Sequence, residues 1–290
     1  FILPFTIIVL ITLFLSQKHG TEKIGKIFGP VMILWFSSLA LLGINSIIKA
    51  PIVFSALNPL NALGFFLRNG LMSFFILSAI VLAITGVEAL FADMGHFGKK
   101  PIRFAFYFLV LPSLTLNYFG QGASVIIHGT KALENPFYFI CPTWFIYPLI
   151  IIATLAAIVA SQAMISGAFS VFQQAMQLGY APKLKVIHTS EDIHGQIYIP
   201  FISNFLMISC ILLVLTFRSS GNLASAYGMA VMGTMLCTTI LFSIVIRKIW
   251  KWKRRFTIPL LVSFLTVDLS FLGANLSKVM SGGWLPLVVA

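Results

Sequence analysis

The chain has 290 residues and a formal net charge of +12, with 59% hydrophobic and 9% charged residues. Soluble domains carry about 45–50% apolar and about 25% charged residues, so this composition excludes a soluble globular domain, a disordered chain and a coiled coil. The apolar segments do not alternate with a period of two, which excludes an outer-membrane barrel. An all-α polytopic membrane protein is the class that remains.

Nine apolar segments predict membrane-spanning helices that belong to one transmembrane domain. They lie at residues 1–15, 27–48, 71–92, 104–127, 144–172, 197–217, 223–246, 256–272 and 284–290. A span needs about 20 residues, so we interpret the first and last segments as truncated and the chain as an internal fragment of a longer transporter. Residues 50–70 combine prolines and asparagines with an apolar patch, and we expect a short amphipathic piece at the membrane surface there.

Basic residues alternate between the linkers that join these segments. The odd-numbered linkers carry 14 of the 19 Lys and Arg residues, and the even-numbered linkers carry the other five. Basic residues are enriched in cytoplasmic loops, so the odd-numbered linkers are predicted to be cytoplasmic. The positive charge therefore indicates a lipid bilayer as partner and sets the topology in it, and nucleic acid is not predicted as a partner.

Glu88 lies in the third segment, just inward of its centre. A charged side chain at that depth costs about 2.5–3.5 kcal/mol, so it needs a partner, a water-filled cavity or a bound ion. Gly86 is a weak helix former and Thr85 can hydrogen-bond to its own backbone, so the pair predicts a break in the helix. Broken helices offer carbonyl oxygens that bind ions in secondary transporters. We therefore predict that Glu88, Thr85 and Gly86 form part of a site for a monovalent cation or a proton. A hydrogen bond from Glu88 to a neighbouring helix is the alternative.

Two other places in or beside the spans carry acidic groups. Asp93 and His96 lie one helical turn apart at the cytoplasmic end of the third segment. They are candidates for a cytoplasmic gate or a proton exit, and an ion pair that anchors the helix end is the alternative. We interpret Asp268, in a later span, as a structural hydrogen-bonding group.

Polar residues in the fourth and fifth segments are candidates for a permeation pathway. Asn117, Tyr118 and Gln121 lie in the fourth segment, and Ser161 and Gln162 lie in the fifth. Polar side chains at membrane depth face the bundle interior, where they line a pathway or hold helices together. Both interpretations stay open for these five residues.

Tyr227 precedes Gly228 in the seventh segment, where its phenol oxygen or its ring face could bind a cation. The chain has no GxxxxGK[ST], HExxH, GxSxG or CxxC motif, and its five histidines and three cysteines are scattered. These absences predict that the chain is not an enzyme and needs neither a cofactor nor a resident metal.

Six motifs, in chain order, resemble the Kup/HAK/KT family of potassium uptake permeases. They are GVEALFADMGHFG at 86–98, LNYFGQGA at 116–123, ASQA at 160–163, HTSE and GQIYIP within 188–200, AYG at 226–228 and GGWLPL at 282–287. The resemblance covers essentially the whole chain, and the motifs occur in the family's order.

The resemblance implies a potassium importer of the inner, cytoplasmic membrane that works as a K⁺/H⁺ symporter through a mid-membrane site. It implies the fold of the amino acid–polyamine–organocation (APC) superfamily, with two five-helix inverted repeats and two extra helices. This chain would hold helix four to the start of helix twelve, and Glu88 would lie on helix six, one of two broken helices. Acidic residues on the first and third helices and a C-terminal cytoplasmic domain would lie outside the chain. Similar proteins often form homodimers.

Three other functions compete with secondary potassium uptake. A passive channel calls for a carbonyl filter such as TVGYG, which this chain lacks. A cation-coupled amino acid permease of the same fold calls for a helix N-terminus that binds a carboxylate, and Glu88 would repel that anion. An intramembrane enzyme calls for a nucleophile with its base or for a metal set, and neither is visible.

Overall fold

The computed structural model describes residues 2–19, 22–86, 98–133, 135–188 and 197–289. Over these ranges the chain forms α-helices joined by short 3₁₀ and π segments, and it has one two-stranded sheet. Ile187–His188 pairs antiparallel with Ile197–Tyr198 in that sheet. The α-helices are α1 (Ile2–Ser16), α2 (Glu22–Lys49), α3 (Pro59–Asn69), α4 (Leu71–Ile84), α5 (Lys99–Ala105), α6 (Leu111–His128), α7 (Pro136–Phe139), α8 (Ile146–Gln177), α9 (Pro200–Phe217), α10 (Ser220–Lys248), α11 (Arg254–Leu276) and α12 (Trp284–Val289).

Within the described residues, an apolar helix lies in each of the nine predicted segments, and in the third segment it ends at Ile84. In the described ranges, six helices are long and apolar enough to cross a membrane: Phe28–Lys49, Lys99–Ala132, Thr143–Gln177, Pro200–Phe217, Ser220–Lys248 and Arg254–Leu276. Shorter apolar helices lie at Ile2–Ser16, Leu71–Ile84 and Val279–Val289. The all-α polytopic class is therefore confirmed, while the APC arrangement, the helix numbering and the single domain stay predictions.

The helix in the fourth predicted segment begins five residues before the predicted start at residue 104, and it contains a short π turn. The helix begins at Lys99, and Phe106–Val110 forms a π segment before α6. Leu111 donates its N–H to the carbonyl of Phe106, five residues back. The next residue, Pro112, has no N–H to donate, so the usual hydrogen-bond ladder is broken here and the wider π turn accommodates the break.

The described chain divides into two compact units. Among the described residues, the N-terminal unit comprises those within 2–59 and 98–209, and the C-terminal unit comprises those within 60–86 and 210–289. α1, α2, α5, α6 and α8 belong to the first of these, and α4, α10, α11 and α12 to the second.

In the N-terminal unit, α2 and α6 cross with their backbones in contact. A Cβ atom added to Gly120 would lie 2.5 Å from the Cα atom of Gly43, and one added to Gly43 would overlap the carbonyl of Leu116. Small residues allow this approach, and close packing is what holds helices together where lipid offers no hydrophobic drive. Apolar side chains from both helices and the following 3₁₀ turn pack beside the crossing: Ile47, Ala50, Val53 and Ala123.

In the C-terminal unit, α11 packs against both α4 and α10. A Cβ atom added to Gly273 of α11 would lie 3.1 Å from the Phe74 ring of α4. The turn before α12 needs glycine, because Gly282 has φ +146° and lies against the carbonyl of Asn222. Only glycine adopts such a φ without strain.

Replacement of Gly120 by alanine tests the backbone crossing. The added methyl would meet the Gly43 backbone, which cannot rotate away, so we expect a loss of about 1–3 kcal/mol of stability and a lower thermal unfolding midpoint. Gly167→Ala in α8 is the matched control, since no atom lies within 4 Å of the point where its Cβ atom would be. Alanine is a better helix former than glycine, so the control should be neutral or slightly stabilised. Equal midpoints for the two variants, measured in detergent, would contradict a backbone crossing.

Candidate ion site

α4 ends at Ile84, at the break that the sequence predicts. Thr85 is extended, with φ −80° and ψ 160°, and Gly86 has φ +123°, a conformation that favours glycine. The Thr85 N–H donates to the carbonyl of Val81 at 3.0 Å, and the Thr85 hydroxyl approaches the carbonyl of Leu82 at 3.4 Å. The C-terminal end of a helix carries a partial negative charge, so this end attracts a cation.

Three residues of the predicted ion site and gate fall in a part of the chain that the structure does not describe. Glu88, Asp93 and His96 lie outside the described residues, which stop at Gly86 and resume at Gly98. Their roles in ion binding and in a cytoplasmic gate stay predictions.

Tyr227 and Gly228 of α10 lie beside the last turn of α4. A Cβ atom added to Gly228 would lie 3.9 Å from a methyl of Leu82 and 2.7 Å from the Oδ1 atom of Asn275 in α11. Tyr227 itself is 44% exposed, so its ring is not sealed into the packing of this unit. The structure thus brings the Ala-Tyr-Gly motif, through Gly228, to the last turn of α4.

Asn275 is a buried residue of this region that the sequence analysis missed. It is 1% exposed, and its side-chain amide donates to the carbonyl of Phe271 at 2.9 Å. The predicted segment stops at residue 272, whereas α11 continues to Leu276 and buries the amide. The sequence signal was the short Gly-Ala-Asn run that follows the apolar residues.

Asp268 makes the structural hydrogen bond that was predicted for it. The hydroxyl of Thr239 in α10 donates to its Oδ2 atom at 2.5 Å, and both residues are buried. This charge-assisted bond joins α10 to α11 inside the C-terminal unit, and such bonds are stronger than neutral ones.

The polar residues of α6 do not form one group. Asn117 is buried at the crossing with α2. A Cβ atom added to Gly43 of α2 would lie 2.9 Å from the backbone nitrogen of Asn117. Tyr118 is 48% exposed, and Gln121 is half-buried. Within the described ranges, the Oδ1 atom of Asn117 and the Oγ atom of Ser124 are buried without a hydrogen-bond partner.

Ser161 and Gln162 of α8 both make hydrogen bonds within the protein. Gln162 exchanges two hydrogen bonds with Gln17, at 2.6 and 3.0 Å, and both amides are buried. The Ser161 hydroxyl donates to the carbonyl of Ala157 in its own helix at 2.9 Å. This favours the packing interpretation for Gln162, and Gln17 is the partner that the sequence analysis missed.

These helices define a polytopic α-helical membrane protein in which the apolar helix α4 ends at Ile84, directly before Thr85 and Gly86. The family model described as the "K+ potassium transporter integral membrane domain" matches residues 1–290. The chain therefore belongs to this family of potassium transporters. Membership confirms the family resemblance seen in the sequence and agrees with the prediction that the chain is not an enzyme.

Curated relatives agree with the family assignment. The chain is 51% identical over 286 residues to a "Probable potassium transport system protein Kup" of Burkholderia pseudomallei (strain K96243). It is 52% identical over 286 residues to a protein of the same name in Paraburkholderia xenovorans (strain LB400). Each match covers 99% of this chain and 45% of the relative, so the chain spans less than half the length of these relatives. Neither match supports the amino acid permease alternative, and no solved structure matched the chain significantly.

A double-mutant cycle on Thr239 and Asp268 tests the bond between α10 and α11. Thr239→Val leaves a buried carboxylate without its donor, so we expect it to cost about 1–3 kcal/mol of stability. Asp268→Leu removes the acceptor, and the two changes together should cost less than their sum.

Thr266→Val is the control for this cycle, because the Thr266 hydroxyl is exposed and bonds to its own helix at the Val262 carbonyl. We expect its unfolding midpoint to match the wild type. Strict additivity of Thr239→Val and Asp268→Leu would show that the two side chains do not interact.

Proposed function

We propose that this chain is part of a transporter that imports potassium, with a cation site at the end of α4. The observation that carries the proposal is the end of that helix at Ile84, followed by extended Thr85 and left-handed Gly86. Family membership supplies the class of cargo. The relatives are named as probable potassium transport proteins.

The chemistry at this break suits a monovalent cation. K⁺ is bound by neutral oxygens that replace its water, and a helix C-terminus offers carbonyl oxygens together with a partial negative charge. In the proposed site the Thr85 hydroxyl and the backbone around Gly86 face the ion, and the phenol of Tyr227 approaches from α10. Gln162 serves packing, because its amide is paired with that of Gln17.

Glu88 is proposed as the group that couples the ion to a proton. A carboxylate two residues beyond the break could take up a proton outside while K⁺ sits on the neutral oxygens of the helix end. Release of both ions inside would make transport a K⁺/H⁺ symport. An inside-negative potential supplies about 2.3 kcal/mol per charge for each 100 mV, and the proton adds to that drive.

The setting of this activity is proposed from the charge pattern. With the odd-numbered linkers in the cytoplasm, the first helix would run from outside to inside of the inner membrane. The full-length protein would add further helices to the site, and two copies would form a homodimer.

Substitution of Glu88 tests the coupling role. Rubidium uptake by the full-length protein, in cells without other potassium transporters, should fall at least about tenfold in Glu88→Gln, because the coupling charge is lost. Glu88→Asp keeps the charge and should retain part of the rate. Initial rates are measured at several external pH values, with the membrane potential clamped and protein amounts normalised.

Asp268→Asn is the matched control, since that carboxylate already has a structural partner in Thr239. We expect the control to keep the wild-type pH dependence. Unchanged uptake and pH dependence in Glu88→Gln would exclude Glu88 from coupling. No rubidium uptake by the wild type would exclude potassium as the cargo.

A further inference from the structure

The turn between α10 and α11 is the most concentrated positive surface of the C-terminal unit. Residues 247–255 carry six cationic side chains, all exposed: Arg247, Lys248, Lys251, Lys253, Arg254 and Arg255. The two helices that this turn joins, Ser220–Lys248 and Arg254–Leu276, are both long and apolar enough to cross a membrane. The cluster therefore lies where a helix pair leaves the hydrocarbon region.

The turn has a defined backbone. Trp250 donates its N–H to the Val245 carbonyl at 3.1 Å, and Trp252 donates to the Ile246 carbonyl at 3.2 Å. Lys251, between them, has φ +55°, a left-handed conformation that non-glycine residues adopt only where the surroundings hold it. The cations are thus presented on a fixed turn at the helix ends.

The same turn carries an aromatic platform. The rings of Trp250 and Trp252 lie tilted at 38° to each other with centroids 5.7 Å apart, and Trp250 meets the Phe242 ring edge-on at 5.7 Å. Phe242 in turn lies 6.2 Å from Phe264, so the platform rests on both α10 and α11. The tryptophans are 51% and 49% exposed. Half-exposed tryptophans next to transmembrane helices are typical of the lipid headgroup level.

The protein supplies no counter-charge for these cations from within the C-terminal unit. Asp268 is the one acidic residue in residues 60–86 and 210–290, and it is buried against Thr239. The Arg255 guanidinium lies over the Phe256 ring, 4.8 Å from its centroid, rather than near a carboxylate. An anion from outside this unit is therefore needed to balance six positive charges.

We propose that residues 247–256 bind the phosphate groups of anionic phospholipids in the leaflet at this end of α10 and α11. Arginine binds phosphate with paired hydrogen bonds, and clustered cations beside a membrane helix attract acidic lipid. The tryptophan platform fixes the depth of the turn at the headgroup level, so that the cations meet phosphates rather than bulk water. This lipid site is independent of the potassium site proposed at α4.

The basic cluster at Lys99, Lys100 and Arg103 provides the comparison. It carries three exposed cations at the start of a membrane-length helix, but it has no tryptophan near it in sequence. Charges that serve only to set topology need no aromatic platform. A comparison of the two clusters therefore distinguishes a role in topology from a role in lipid binding.

The test is native mass spectrometry of the full-length protein with phosphatidylglycerol and with phosphatidylcholine as probes. The wild type should retain phosphatidylglycerol preferentially. Lys251→Gln/Lys253→Gln/Arg254→Gln should lower that affinity about a hundredfold, given about fivefold for each of the three cations removed. The matched variant Lys99→Gln/Lys100→Gln/Arg103→Gln should lower it at most about threefold, with phosphatidylcholine binding unchanged in both.

The wild type gives a second readout that needs no variant. Raising the salt from about 50 to about 500 mM should weaken phosphatidylglycerol retention, because salt screens exposed charges. Equal losses in the two triple variants, or no preference of the wild type for phosphatidylglycerol, would overturn the lipid site. Tighter binding of a poly-glutamate peptide or a DNA duplex than of phosphatidylglycerol would overturn it as well.

Discussion

A helix in hydrocarbon must satisfy its own backbone, and α4 ends at Ile84, inside one of the chain's apolar segments. Lipid offers no donor or acceptor, so a helix that stops inside an apolar segment must present its last carbonyls to protein, water or an ion. Thr85 meets part of this demand with its N–H and its hydroxyl. The proposed potassium site depends on this interruption, because an unbroken helix would keep all its carbonyls in its own ladder.

Close contacts at glycine residues hold the helices around the end of α4 together. Gly228 lets α10 approach Asn275 and the last turn of α4, and the Asp268–Thr239 bond ties α10 to α11. In the N-terminal unit, Gly43 and Gly120 bring two helix backbones together in the same way. Each contact is short and specific, which suits a protein whose helices cannot rely on water to drive them together.

Local sequence features predicted the helices and the break, whereas pairings between distant residues were not predictable. The apolar segment predicted at 223–246 corresponds to α10 (Ser220–Lys248), and α4 ends directly before Thr85 and Gly86. Both features depend on residues that are neighbours in the sequence, so the sequence could predict them. The Gln17–Gln162 pair joins residues 145 positions apart, and no local pattern specifies that partner. Likewise, Asn117 was a pathway candidate on polarity alone, and only its neighbours show it at a packed crossing.

Ion-dependent stability of the full-length protein tests the central claim most directly. A ligand that binds only the folded state raises the unfolding midpoint, so saturating K⁺ should raise it by about 2–5 °C over choline at equal ionic strength. Gly86→Ala, which forces a side chain onto φ +123°, should abolish this K⁺-dependent shift, and Gly233→Ala in open space on α10 should keep it. A K⁺ shift of the same size in Gly86→Ala would contradict an ion site at the break.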